Sequence, residues 1–261
     1  MIRLDTLLPN GQPGWLLISQ IEHARLSGAL ASEWGEPPYP AVAPRDELLP
    51  AIVRHDDGWS DWERRPQLDS VGRPCNFHDM PVEDSLLIWR TSIERAAAMS
   101  PLGGATVAGH FLHLLRQALV WKEHGTRAAA ATHQWAAEFD ALRQDWLDDW
   151  AASRPENRPD VAATALAWLQ FFDRLSLWFC MSKAAQPAEI NTGGGMALWL
   201  SPQIDDDNTQ TVLISPWPLR VAAFEISLCG CLVPARRYAD AAELAATMQV
   251  PVTWRLRLLP A

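Results

Sequence analysis

Arg54-His55-Asp56-Asp57-Gly58-Trp59 sets an imidazole beside a carboxylate shortly before a glycine. Both side chains are good ligands for Zn, Mn, Fe or Co, one through nitrogen and the other through oxygen. Upstream, Leu48, Leu49, Ile52 and Val53 form an apolar stripe at helical spacing, and His55 and Asp56 prolong its two edges by a turn. Glycine takes the left-handed conformation without steric penalty, so Gly58 reads as a helix stop. The pair is then expected in the last turn of a short helix. Pro50 is expected in that helix's first turn, where a missing N–H costs nothing. A metal needs further ligands, and these must come from other helices.

Three stretches supply them. Ser19-Gln20-Ile21-Glu22 matches a capping box and opens a helix expected to reach about Trp34. On it His23 shares a face with Leu26, Leu30 and Trp34. Ser100-Pro101 opens a second, expected to run to about Glu123, with serine as N-cap and proline first in the helix. There His110 lies on the side of Val107, Phe111, Leu114 and Leu115. The third, Val161 to about Lys183, is apolar nearly all round, as a central helix is. Asp173 sits in its middle, and Arg174 faces elsewhere because helical neighbours diverge by about 100°. A buried carboxylate is costly unless it is paired or binds metal. A lone inward histidine is usually a satisfied core residue. Three on separate helices, with a buried aspartate, shift the balance towards a shared divalent ion.

The rest of the chain bounds the class. Its 261 residues, 48% of them apolar, suit one domain with a sizeable core. A net charge of −9 argues against a nucleic-acid surface, which needs clustered Lys and Arg. No long uncharged apolar run predicts a membrane span. Met1-Ile2-Arg3-Leu4-Asp5 lacks a signal-peptide core, so a cytoplasmic protein is expected. Cys75, Cys180, Cys229 and Cys231 read as reduced thiols. Ile2–Leu4 and Trp15–Ile18 flank the turn cluster Pro9–Gly14, and short strand-like runs recur after Asn191. Gly193-Gly194-Gly195 lacks the Lys-Ser/Thr of a phosphate loop and reads as a turn. The expected fold is therefore mainly α: a single domain over 1–261, with a helical core at 19–185. Residues 1–18 and 191–261 would add a small antiparallel β portion. Trp59 to Val82 is expected as a loop, whose Arg64, Arg65 and Arg73 are natural partners for a substrate phosphate. Solvated loop charge is the plainer account of them.

The order His23, His55-Asp56, Asp173 resembles the HD-domain superfamily. These are helical, metal-dependent proteins, mostly phosphohydrolases of nucleotides or phosphodiesters. The resemblance implies an HD-like helical core, with those four residues on a divalent transition metal (Mn, Fe, Zn or Co). His110 would match the intervening histidine of members that hold two metals. His55-Asp56-Asp57-Gly58-Trp59 and Phe172-Asp173-Arg174-Leu175-Ser176-Leu177 are also similar to an uncharacterised bacterial family of HD-like appearance. Many HD enzymes carry lysine after the glycine, where this chain has Trp59. The implied function is hydrolysis of a small phosphorylated or nucleotide-like molecule, with Asp57 as general base. Two alternatives stand beside it. One is a di-iron oxygenase on the same scaffold, which needs a second metal. The other is a non-catalytic domain that binds a small ligand or a partner.

Overall fold

Ser19 caps the first helix: its Oγ accepts from Glu22 N at 3.0 Å, and α1 runs Gln20–Glu33. The computed structural model describes residues 1–117, 126–181, 186–193, 196–203, 209–248 and 251–261. The expected helical residues 118–123 and 182–183, and Gly194-Gly195, lie outside these. After α1 come α2 (Arg45–Arg54), the one-turn α3 (Trp59–Glu63), α4 (Val82–Ala97), α5 (Pro101–Gln117), α6 (Thr126–Ser153) and α7 (Pro159–Met181). The segment expected as loop from Trp59 thus holds a short helix. α7 carries buried residues on most of its circumference and packs against α1, α2 and α5. Its position among three helices is what brings Asp173 to the middle of the core.

The mainly α expectation does not hold. Helix accounts for 51% of the structure and strand for 24%, in one curled, mixed sheet of seven strands. They are β1 (Ile2–Leu7), β2 (Pro13–Ile18), β3 (Ala188–Gly193), β4 (Met196–Pro202), β5 (Thr209–Ser215), β6 (Phe224–Pro234) and β7 (Pro251–Pro260), with α8 (Ala241–Thr247) between the last two. The order across the sheet is β1-β2-β6-β7-β5-β4-β3. The N-terminal hairpin joins the C-terminal strands through β2 and β6, with Leu16 opposite Leu232. β5 and β7 run parallel, with Val212 opposite Leu258, and every other pairing is antiparallel.

Alternation explains how the sheet meets the helices. In β7, Trp254, Leu256 and Leu258 are buried while Arg255 and Arg257 are exposed, the pattern of a strand with one face on a core. β2 differs: Leu16 and Ile18 join the main core with α1 and α7, while Trp15 and Leu17 join a second cluster with Val233, Tyr238 and Leu244 of α8. Both faces of β2 are therefore covered, which is why Trp15 to Ile18 reads as a continuous apolar run. The main core is continuous from the helices into the sheet. Among the described residues, no helix is long and apolar enough to cross a membrane.

Candidate metal centre

His55 is the C-cap of α2, and Asp56 follows it directly. Pro50 lies inside α2 and not in its first turn, because the helix begins earlier than expected, at Arg45 behind Pro44. Gly58 also departs from its expected role. Its φ of −64° and ψ of −21° are right-handed, so it is no left-handed stop. A Cβ at this position would collide with the Ile88 carbonyl oxygen and lie 2.8 Å from Ser92 Oγ. The glycine is there because α4 crosses closely, and Gly58 N donates to Ser92 Oγ at 2.9 Å. That bond helps hold the short connection carrying His55 and Asp56 against α4.

α1, α2 and α7 deliver their polar groups to one point. His23 Nε2 lies 3.1 Å from Asp173 Oδ1 and 3.6 Å from Asp56 Oδ2. His55 Nε2 lies 3.4 Å from Asp173 Oδ1 and 3.6 Å from Asp56 Oδ2. The two imidazoles stand edge to face, 5.2 Å between centroids. Both histidines are fully buried, and Asp56 and Asp173 are 5% and 8% exposed. His23, His55 and Asp173 form a group with one donor atom each, all mutually within 4.8 Å.

The protonation of His55 follows from its partners. Its Nδ1 sits 2.8 Å from the Ile52 carbonyl oxygen, which can only accept, so Nδ1 carries a proton. In the neutral ring the lone pair is then on Nε2, aimed at the carboxylates. That atom is close enough to Asp173 for charge attraction but misdirected for a hydrogen bond, and it has no hydrogen-bond partner.

Electrostatics points the same way. Burial works to lower the pKa of His55, but Asp56 and Asp173 outweigh it and raise it to about 9. Burial raises Asp56 above the usual carboxylate range against the pull of His55 and His23. For Asp173 burial is outweighed by the nearby His110, by the hydrogen bond from His23 and by the His55 ring 3.4 Å away, and its carboxyl is held well below that range. The cluster thus favours positive charge at its centre, from a proton or from a metal ion. Separations of 3.1 and 3.4 Å from Asp173 to the two imidazoles are the edges expected of ligands each roughly 2.0–2.2 Å from a common ion, and these three residues form the mutually close group; Asp56 stands outside it, 3.6 Å from each imidazole. The donors, two imidazole nitrogens and two carboxylate oxygens, suit Zn, Mn, Fe or Co.

His110, on α5, adjoins the cluster without joining its tightest part. Its ring centre is 5.7 Å from that of His55, its Nδ1 is buried without a partner, and burial lowers its pKa to about 4. Three of the four residues expected to serve substrate are engaged elsewhere. Asp57 Oδ2 accepts from Arg54 Nε at 2.6 Å, Arg73 Nε donates to Asp69 at 2.7 Å, and Arg64 pairs with Asp61. Arg65 is exposed. Among the described residues, no arginine or lysine forms an ion pair with Asp56 or Asp173.

Sequence reasoning missed Ser27, Ser92 and Ser176. Ser27 and Ser176 carried a usable signal. Each follows a ligand candidate by about one helical turn, four residues after His23 and three after Asp173, on the same buried face.

Fold and site together define a mixed helix-and-sheet protein with a buried His/Asp centre. Within that class the chain belongs to the family described as a protein of unknown function (DUF3891), whose model matches residues 7–235. The match spans every ligand candidate and stops short of α8 and β7. No curated protein and no solved structure matches the chain.

Proposed function

We propose that the protein is an HD-like metal-dependent phosphohydrolase acting on a small phosphorylated or nucleotide-like molecule. The observation that carries the metal half of this reading is His55 Nε2: a fully buried nitrogen, without a hydrogen-bond partner, facing two carboxylates. Such an orphan is costly in a core unless something sits against it. The phosphohydrolase half rests on the order His23, His55-Asp56, Asp173.

In this reading His23, His55, Asp56 and Asp173 hold the ion. When bound, the ion supplies Lewis acidity towards a phosphoryl oxygen and lowers the pKa of a water. The chain's own contribution is position. α1 and α7 fix His23 against Asp173, while the Ile52 carbonyl fixes the His55 ring. Asp57 remains the carboxylate nearest in sequence for proton transfer, with its bond to Arg54 as the contact it must exchange. The cytoplasm is the compartment we propose, since it suits the four free thiols.

A second reading, a non-catalytic domain that binds a ligand or partner, is favoured by one observation. Trp59, where many HD enzymes have lysine, is 3% exposed and packed into the core, so it offers no cation to a substrate. Two measurements separate the readings. Metal analysis of purified protein should find a stoichiometric transition metal. A screen of phosphomonoesters and phosphodiesters should then find hydrolysis that Asp173→Asn abolishes. Protein free of metal even after supplementation would sink both halves. Metal without hydrolysis of any substrate would leave the binding domain.

A further inference from the structure

Behind His23, on the side away from the carboxylates, two hydroxyls form a buried chain. Ser176 Oγ lies 2.7 Å from His23 Nδ1 and 2.7 Å from Ser27 Oγ. It is also 3.0 Å from the Asp173 carbonyl oxygen. Ser27 Oγ in turn lies 3.2 Å from the His23 carbonyl oxygen and 3.3 Å from that of Phe172. Both serines are fully buried, so no bulk water can replace a missing partner.

We infer that Ser176, backed by Ser27, is the positioning residue that lets His23 present its Nε2 lone pair to a metal. The inference rests on the metal reading above and goes beyond it. A neutral imidazole that binds through Nε2 keeps its proton on Nδ1. Ser176 Oγ is the acceptor at hydrogen-bond distance for that proton. Ser176 then donates onward to Ser27 or to the Asp173 carbonyl, and Ser27 donates to the carbonyl of His23 or Phe172. Every donor finds an acceptor.

The same hydroxyls can also turn the other way. Ser27 donates to Ser176, Ser176 donates to Nδ1, and His23 carries its proton on Nε2, where Asp173 Oδ1 accepts it at 3.1 Å. Both directions satisfy every group, so two hydroxyl rotations and a relocated proton take the centre from metal-free to metal-ready. The carbonyl behind His55 cannot reverse, because it has no proton to give. The two histidines are therefore not equivalent: His55 is fixed for metal and His23 is convertible.

The test uses the full chain, metal-free and loaded with Zn²⁺, a diamagnetic probe. Histidine ¹⁵N spectra should place the His23 proton on Nε2 without metal and on Nδ1 with it. Ser176→Ala should weaken Zn²⁺ binding roughly 10- to 100-fold, and it should also lower the metal-free melting temperature, because His23 Nδ1 is left buried without a partner. A merely structural serine would lower that melting temperature and leave the Zn²⁺ affinity unchanged. Ser27→Ala should cost less affinity, since Ser176 can still donate to the Asp173 carbonyl. Zn²⁺ affinity unchanged in Ser176→Ala, or a His23 proton that does not move on loading, overturns the inference and leaves the metal reading intact. Wild-type protein that takes up no Zn²⁺ overturns both.

Discussion

Asp173 is buried in an apolar helix with imidazoles as its only ion-pair partners among the described residues. Replacing it by asparagine keeps the shape and removes the charge that draws a cation. Asp173→Asn should retain the far-ultraviolet circular dichroism of the wild type and lose bound metal. If the variant binds metal as tightly as wild type, the carboxylate is structural and the centre must be redrawn without it. Gly58 makes a separate prediction. Its backbone is right-handed, so alanine there meets no conformational penalty and would ordinarily stabilise. The collision with the Ile88 carbonyl reverses the sign. Gly58→Ala should cost about 1–3 kcal/mol, as overpacking does, read as a lower urea midpoint at unchanged slope. A midpoint at or above that of wild type would mean α4 yields freely.

Between elements, α1 lies close against α2 at the centre. A Cβ on Gly28 would overlap Val53 Cγ2 and stand 3.1 Å from Val53 Cα, so α2 itself would have to retreat. Gly28 follows His23 by five residues, and Val53 precedes His55 by two. Gly28→Ala should therefore lower both thermal stability and metal affinity, although it touches no ligand. Isothermal titration with Zn²⁺ checks this, and an unchanged dissociation constant beside a lowered melting temperature would refute the coupling. What was legible in the sequence follows the same division. His23, His55, His110 and Asp173 could each be placed inward because helical periodicity is a local signal. Gly58 was misread because its neighbour is the Ile88 carbonyl, thirty residues on, and a crossing helix leaves no mark on local spacing. The β portion was underestimated for the same reason. Its runs were visible one by one, but the parallel pairing of Thr209–Ser215 with Pro251–Pro260 joins strands separated by another strand and a helix. β3 was passed over because Ala188-Glu189-Ile190-Asn191 has only one residue that favours strands.

For the whole molecule, a ligand that binds the folded state alone stabilises it by mass action. At a concentration 100 times its dissociation constant the gain is about 2.7 kcal/mol. Added Mn²⁺ or Zn²⁺ should therefore raise the melting temperature of wild type and not that of Asp173→Asn. The gain should shrink as pH falls, because proton and metal compete for the same nitrogen of His55. Differential scanning fluorimetry across pH reads this directly. A rise equal in wild type and variant would place the ion somewhere else.

The sheet order also has a consequence for synthesis. β7, the last of the seven strands in chain order, lies between β6 and β5 in the middle of the sheet. Until it is made, no strand links β1-β2-β6 to β5-β4-β3. The sheet cannot close vectorially, from one end to the other, as the polypeptide emerges. A chain stopped after Met248 should be degraded by a protease that spares the full-length protein. Equal resistance would mean that the helices hold the two sets of strands in place before the central strand is inserted.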